Sequence, residues 1–115
     1  PEYQVLDDSG HPNGKVADTT AASLYEIAPA APDKLLKPVG EWNSSKIVAK
    51  GNVLEHWLNG TLAVKVDITT AEWEKMKHES KFAKVPEFAA PKPGKLLLQD
   101  HNDEVWFRNL RIREL

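Results

Sequence analysis

The sequence contains no cysteine. This absence excludes disulfide bonds, thiolate metal sites and cysteine nucleophiles together. It does not decide the cellular compartment, because exported bacterial proteins also often lack cysteine. Any metal ion held by these side chains would need oxygen or imidazole ligands, and an oxygen-rich set favours calcium, magnesium or manganese over zinc.

Long apolar runs and a large excess of one charge are also missing. No run approaches the roughly 20 residues that span a bilayer, and no basic-then-apolar signal segment opens the chain, which starts at Pro1 and is compatible with removal of a leader. Fifteen basic and 17 acidic residues give a formal net charge of -2. This balance provides no electrostatic footprint for nucleic acid or an anionic membrane surface.

The composition that remains is that of one globular domain. The chain has 115 residues, of which 41% are hydrophobic and 28% charged, so a single domain over residues 1–115 is expected. Four tryptophans and four histidines are many for this length. Aromatic rings among scattered polar side chains are typical of sugar clefts, but tryptophans fill hydrophobic cores equally well.

Residues 41–68 carry two turn signals, Gly51-Asn52 and Asn59-Gly60, between strand-like runs. They predict a three-stranded antiparallel meander in which Trp57 pairs with Leu62 and His56 pairs with both Ile47 and Ala63. One face then carries Val48, Val53, Trp57, Leu62, Val64 and Val66, and the other carries Ile47, Ala49, Leu54, His56, Leu58 and Ala63. Both faces are largely apolar, so both should be covered.

Further elements are predicted on both sides of the meander. Thr69 and Glu72 form a candidate capping box with Thr69 as the N-cap, ahead of a helix whose buried side chains would be Trp73, Met76 and Phe82. A proline-rich loop should follow from about Val85 to Gly94. Strands are expected at residues 2–8, 22–27, 95–100 and 104–113.

In the last predicted strand, the apolar positions change from odd, as at Phe107, to even, as at Leu110. A bulge near Arg108-Asn109 would reconcile the two. Short strands, hairpin turns and one short helix together predict an antiparallel β-sandwich or jelly roll.

Several stretches resemble, in order, the second half of the bacterial domain of unknown function 1080. They are EYQVLDD at residues 2–8, SLYE at 23–26, GEWN at 40–43, KGNVLEHWLNG at 50–60 and LQDHNDEVWFRNLRIREL at 98–115. The family is described as 3-keto-glycoside 1,2-lyase and 3-keto-2-hydroxy-glucal hydratase, or 3-keto-disaccharide hydrolase. The resemblance implies a concanavalin-like jelly roll of about twice this length, a carbohydrate substrate and a periplasmic or secreted location. Half a sandwich would expose apolar surface, so the missing N-terminal half or a homo-oligomer is the expected partner.

The family's reaction implies a general base that removes the C2 proton of a 3-keto sugar, a general acid for the departing oxygen and an electrophile. His101 is the first candidate for base or acid, because imidazole titrates nearest neutrality. Glu2 is a candidate acid or ligand of a divalent cation, and Arg108 a candidate oxyanion stabiliser. The candidate substrate-binding residues are Gln4, Gln99, Asp100, His56, Glu41, Asn43 and Trp106.

Each candidate also has a structural interpretation. Asp100 and His101 could simply shape a turn, Arg108 could be an ion-pair partner, and His56 could be a packing residue. No HxH or HExxH spacing is present, so a metal site would need separated strands. For the whole chain, a non-catalytic carbohydrate-binding module with Trp42, Trp57 or Trp106 as stacking platforms, or a purely structural half-domain, is the alternative to a lyase/hydratase.

Overall fold

The computed structural model describes residues 1–90 and 94–115. In this part of the chain, a sheet of three antiparallel strands has the order β1-β2-β3, with β1 at Ser45–Lys50, β2 at Val53–Leu58 and β3 at Thr61–Asp67. One α-helix, α1, spans Ala71–Glu79, and short 3₁₀ helices lie at Pro12–Lys15, Ala17–Thr19 and Lys81–Lys84. The predicted class, mainly antiparallel β-structure with one helix, is confirmed.

The meander forms because its two turns contain residues that accept a left-handed backbone. Gly51, Asn59 and Gly60 have φ angles of 58°, 49° and 86°, which glycine and asparagine adopt most readily. Ile47 pairs with His56, and Trp57 with Leu62, as predicted.

The register of β3 changes one step beyond Trp57. His56 lies opposite Val64 instead of the predicted Ala63, because a bulge between His56 and Trp57 makes Ala63 an extra residue on β3. One inserted residue reverses the alternation that follows it. Val64 and Val66 therefore share a face with His56, and their assignment to the Trp57 face was wrong.

The inner face of the sheet, which carries His56, packs against the chain before β1 and against α1. Its main buried cluster consists of Leu24, Ile27, Ala28, Val64, Val66 and Trp73. A second cluster consists of Ala22, Leu58 and Ala63. The other face stays partly open to solvent, so the prediction that both faces are covered is not met by the described residues.

The helix begins one residue later than predicted. The Thr70 side chain accepts a hydrogen bond from the Trp73 amide at 3.1 Å, and Thr70 is therefore the N-cap. Thr69 instead donates its hydroxyl to Asp67 Oδ1 at 2.6 Å. Glu72 is consequently the second helical residue and not the third, so the predicted capping box is absent. Trp73 is buried as predicted, with Met76 and Phe82 half-buried beside it.

The strands predicted at residues 2–8 and 22–27 are not formed. The structure has only isolated β-bridges there, between Tyr3 and Leu24 and between Leu24 and Ala28. Left-handed backbone at Ala22 (φ 65°) and Glu26 (φ 55°) interrupts the extended conformation there.

The strands predicted at 95–100 and 104–113 are also wrong for the chain as described. Residues 94–115 have no sheet partner among the described residues, and a strand needs a neighbour for its hydrogen bonds. There is accordingly no bulge at residues 108–109, but Asn109 has a φ of 54° at that place. The loop predicted from Val85 to Gly94 includes residues 91–93, which lie outside the described residues.

Among residues 1–90 and 94–115, no helix has the length and apolar character needed to cross a membrane.

Candidate functional site

The C-terminal segment, residues 94–115, carries five of the predicted site residues. Gln99, Asp100, His101, Trp106 and Arg108 are all exposed. Asp100 Oδ1 accepts a hydrogen bond from the Asn102 amide at 3.3 Å, and Asn102 has a φ of 68°. Asp100 therefore shapes the turn, and the turn presents the His101 imidazole to solvent.

Arg108 attaches this segment to the chain just before β1. Its guanidinium carbon lies 3.8 Å from the centroid of a Trp42 ring, within the range of a cation–π interaction. Arg108 makes no ion pair with any described acidic residue, so the structural interpretation as an ion-pair partner finds no support in this part of the chain. A guanidinium held over an aromatic ring can still donate its N–H groups to an anion.

Glu41 and Asn43 lie at the entry to β1, where Glu41 is exposed and Asn43 is held by protein atoms. Asn43 Oδ1 accepts from the Lys37 amide at 2.9 Å and from Asn59 Nδ2 at 2.7 Å, while its Nδ2 donates to Lys37 O at 3.4 Å. Turn bonding thus engages both polar atoms of Asn43.

Asn59 is the residue that sequence reasoning treated only as part of a turn. Its Nδ2 also donates to Leu35 O at 2.6 Å, and its Oδ1 accepts from the Ser44 amide at 2.8 Å. The sequence did contain a hint that Asn43 and Asn59 matter, since both belong to stretches that carry the family resemblance, GEWN and KGNVLEHWLNG.

The N-terminal candidates lie on the bridged segment at Tyr3. The Gln4 side chain donates to Thr19 O at 3.3 Å, and the Glu2 carbonyl accepts from the Tyr25 amide at 3.1 Å while its side chain is half-buried. Among the described residues, neither side chain makes a hydrogen bond or ion pair with His101 or Arg108. The predicted convergence of Glu2 with the C-terminal group is therefore not formed by direct contacts in this part of the chain.

His56 lies inside the core and is only 1% exposed. Its Nδ1 is 3.0 Å from Ala22 O, and its ring centroid is 4.7 Å from that of Tyr3. Burial lowers the pKa of His56, against the opposing effect of hydrogen bonds to the Ala22 and Ser23 backbone. A neutral imidazole that donates from Nδ1 to a carbonyl suits this site, and its place in the core favours packing over contact with sugar.

The open face of the sheet carries a polar cluster that sequence reasoning missed. Trp57 Nε1 donates to Glu55 Oε2 at 3.0 Å, Lys65 Nζ lies 3.1 Å from Glu55 Oε1, and Lys46 Nζ lies 4.1 Å from a Trp57 ring centroid. The Trp57 hydrogen bond, followed by that of Lys65, lowers the pKa of Glu55. Lys46 covers the Trp57 indole, which therefore offers less stacking surface than the exposed Trp106.

The described side chains do not by themselves form a site for a divalent cation. No group of three histidine, aspartate or glutamate residues within 1–90 and 94–115 is close enough to share an ion. No step of the chemistry below is therefore assigned to a metal.

Comparisons with known proteins agree with the resemblance. The model of the 3-keto-alpha-glucoside-1,2-lyase-like domain matches residues 1–113. A protein of Bacteroides thetaiotaomicron named 3-keto-disaccharide hydrolase is 35% identical over 128 aligned positions, covering 100% of this chain and 44% of its own length. A crystal structure of a candidate glycosyl hydrolase from Parabacteroides distasonis matches with a TM-score of 0.64 and 29% identity, over 76% of this chain and 42% of the other. The chain thus spans less than half the length of these relatives.

Proposed function

Because the chain belongs to the family of 3-keto-alpha-glucoside-1,2-lyase-like domains, we propose that it contributes the C-terminal part of a domain that cleaves 3-keto-glycosides. The observation that carries the proposal is the family match over residues 1–113, together with the relative named 3-keto-disaccharide hydrolase. A carbohydrate hydrolase at family level is what these matches support, and the lyase and hydratase steps are our proposal.

The proposed reaction needs no nucleophilic side chain. The carbonyl at C3 acidifies the C2 proton, a base removes that proton, and the electron pair forms the C1–C2 double bond as the C1–O bond breaks. An acid gives a proton to the departing oxygen, which leaves as an alcohol. Water then adds across the double bond, and the sum of the two steps is hydrolysis.

His101 is our candidate for the base or acid, because it is exposed at a turn beside other polar side chains. Arg108 is the candidate for stabilising the enediolate oxygen, because stacking on Trp42 orients the guanidinium while leaving its N–H groups available. Glu2 stays a candidate acid, provided the complete domain brings it within reach. Gln99, Asp100, Glu41 and Trp106 are the exposed candidates for sugar contacts, whereas Gln4, Asn43 and His56 are held by protein atoms.

The complete domain is part of this proposal. The matched relatives are more than twice as long as the region that the chain spans. The described residues leave the C-terminal segment without a sheet partner, so the proposed active site would be completed by the rest of the domain. A periplasmic or secreted location, which the family resemblance implies, is likewise a proposal.

A non-catalytic carbohydrate-binding module is the second candidate. The observation in its favour is that the Trp106 side chain is 69% exposed, and exposed aromatic rings can stack on sugar faces. Binding of a glucoside without cleavage of its 3-keto form would favour this alternative.

The test is an assay with 4-nitrophenyl 3-keto-glucoside on this chain joined to the part of the Bacteroides relative that it does not match. We expect release of 4-nitrophenol from the 3-keto substrate, none from the unoxidised glucoside, and solvent deuterium at C2 of the product. A parallel assay with EDTA tests for a metal requirement. No release by a folded domain would overturn the proposal.

His101→Gln is the variant that tests the role of His101, and His78→Gln is its matched control, since His78 is an exposed histidine on α1. We expect release to fall with His101→Gln and to be unchanged with His78→Gln. Equal activity in both variants would remove His101 from the mechanism while leaving the family reaction open to Glu2.

A further inference from the structure

Tyr25 lies opposite Glu2 where the N-terminal segment meets residues 23–25. The Tyr25 amide donates to Glu2 O at 3.1 Å, one step beyond the antiparallel bridge between Tyr3 and Leu24. Successive residues of an extended chain point to opposite faces, and residues directly opposite each other on antiparallel chains share a face. Leu24 belongs to the main core cluster and Tyr3 packs against the second. The register therefore brings Glu2 and Tyr25 together on the other side.

The Tyr25 ring lies beside two charged side chains. Lys81, from the 3₁₀ helix that follows α1, has its Nζ 4.4 Å from the centroid of the ring, within the range of a cation–π interaction. The same Nζ lies 3.2 Å from Glu26 Oε1. Tyr25, Glu26 and Lys81 thus form one cluster of titratable groups, and Glu2 lies beside it.

The surroundings keep the Tyr25 phenol protonated. Burial raises its pKa, and the hydrogen bond to the Glu26 carboxylate and the charge of Glu2 act in the same direction, against the charge of Lys81. A protonated phenol can donate a proton or a hydrogen bond, whereas it cannot accept a proton from a sugar carbon. Tyr25 is therefore suited to the role of an acid and not to that of a base.

The backbone of Glu26 fixes its carboxylate in this cluster. Glu26 has a φ of 55°, in the left-handed region that residues other than glycine seldom adopt, and its amide donates to Asp18 O at 2.9 Å. Backbone strain of this kind clusters at functional sites, where the surrounding structure holds it in place. Together with the ion pair to Lys81, it keeps the Glu26 carboxylate next to the phenol.

We propose that Tyr25 is the general acid of the proposed reaction and gives its phenolic proton to the departing glycosidic oxygen. This inference rests on the proposed function and deepens it, because that function leaves the acid open between His101 and Glu2. Tyr25 shares a face with Glu2, and both side chains are half-buried and so keep contact with solvent.

Both steps balance without a further reactant. In the elimination, the base takes the C2 proton, the electron pair of that bond forms the C1–C2 double bond, and the C1–O bond breaks as Tyr25 protonates the oxygen. In the hydration, the Tyr25 phenolate takes a proton from water as the hydroxide adds to C1, and the protonated base returns its proton to C2. The ammonium group of Lys81 stabilises the phenolate between the two steps.

The leaving group of the substrate separates acid catalysis from a structural role. 4-Nitrophenolate departs as a stable anion, whereas an alkoxide needs a proton as it leaves. In the joined protein of the preceding assay, Tyr25→Phe should lower cleavage of methyl 3-keto-glucoside at least about hundredfold and that of 4-nitrophenyl 3-keto-glucoside less than about fivefold. Equal losses with both substrates, or no loss with either, would overturn the proposal.

Tyr3→Phe is the matched control, since Tyr3 is the other tyrosine of the chain. Its hydroxyl donates to Trp57 O at 3.2 Å on the core side. We expect Tyr3→Phe to lower the melting temperature and to leave both cleavage rates unchanged.

Glu2→Gln distinguishes the two neighbours on the same face. A large loss with Glu2→Gln that is confined to the methyl substrate, with no such loss in Tyr25→Phe, would identify Glu2 as the acid and contradict the proposal.

The amino acid 3-fluorotyrosine at position 25 keeps the ring in place and guards against a phenylalanine variant that does not fold. Fluorine lowers the pKa of a phenol, and a general acid is active only while it is protonated. The alkaline limb of the pH profile of kcat/KM for methyl 3-keto-glucoside should therefore move to lower pH. The same replacement at position 3 should not move it. An unchanged limb with fluorine at position 25 would exclude Tyr25 as the acid.

The parent joined protein separates failure of this inference from failure of the proposed function. Inactivity toward both 3-keto substrates would overturn the proposed function and this inference with it. Cleavage of the 4-nitrophenyl substrate alone would support the family reaction and show that no acid assists the leaving group, which would overturn only the role of Tyr25.

Discussion

Asn59 donates a hydrogen bond from Nδ2 to Oδ1 of Asn43, with 2.7 Å between the two atoms. The pair joins the turn between β2 and β3 to the residues that enter β1, and through Leu35 and Lys37 to the proline-rich connection at residues 28–38. Two asparagines that look like separate turn residues in the sequence thus act as one structural unit. These hydrogen bonds give the Asn43 side chain a structural role that needs no ligand.

The asparagine pair can be tested with two variants at one position. Asn59→Gly keeps a residue that accepts the φ of 49° but removes the side-chain hydrogen bonds, so we expect the free energy of unfolding to fall by about 1–3 kcal/mol. Asn59→Ala should lose roughly 1 kcal/mol more, because alanine is strained in the left-handed region. Urea denaturation measures both. A glycine variant as stable as the parent would show that the pair contributes nothing.

The buried His56 should make stability depend on pH. Its folded-state pKa is lowered by burial from the ordinary value of 6.5, so the folded state disfavours the protonated form. His56 therefore does not reduce the free energy of unfolding above about pH 6.5. Below that pH, the free energy of unfolding falls as the pH drops toward the lower folded-state pKa. Thermal melts between pH 7.5 and pH 5 should show this loss. His56→Phe should flatten the curve, and His78→Gln, at the helix surface, should retain it.

Two tryptophans of opposite burial offer a direct comparison. Trp73 is 2% exposed in the main core cluster, and Trp106 is 69% exposed. Trp73→Ala should cost about 3–5 kcal/mol of unfolding free energy. Trp106→Ala in the chain alone should change it by less than about 0.5 kcal/mol. Similar losses in denaturant unfolding would mean that Trp106 is buried in solution.

The position of the helix cap is also testable. Thr70→Ala removes the acceptor for the Trp73 amide and should cost about 1 kcal/mol. Thr69→Ala should cost less, because the Thr69 hydroxyl bonds only to the exposed Asp67 side chain. A larger loss of stability with Thr69→Ala than with Thr70→Ala would indicate that Thr69 is the N-cap.

The sequence was informative wherever local chemistry determines structure. Asn59-Gly60 and Gly51-Asn52 placed both hairpins, because few residues other than glycine and asparagine accept those dihedral angles. The predicted register of β3 was wrong from Ala63 onward, because the alternation of apolar residues in β3 does not show which residue lacks a partner. The prediction was also wrong at residues 95–113, where strand-like patterning is present but the hydrogen-bonding neighbour is not among the described residues.

The residues of the candidate site stay predictions, and the structure bears only on their exposure and contacts. The exposure of His101 and Arg108 agreed with the expectation that they are available for chemistry, which itself stays a prediction. The partners of Gln4, Asn43 and His56 were not predictable, because Thr19, Asn59 and Ala22 are distant in sequence and meet them only through folding.

The bulge at Ala63 also governs where the chain can change length. The Ala63 carbonyl accepts a hydrogen bond from the Ala31 amide at 2.8 Å, so the proline-rich connection from Ala28 to Pro38 is fixed to the sheet near its start. Insertions beyond this point, around the exposed Pro32 and Asp33, would extend a surface loop at little cost. Deletions between Ala28 and Ala31 would pull Leu24 and Ile27 away from the core, so gaps in homologous sequences should be rare there.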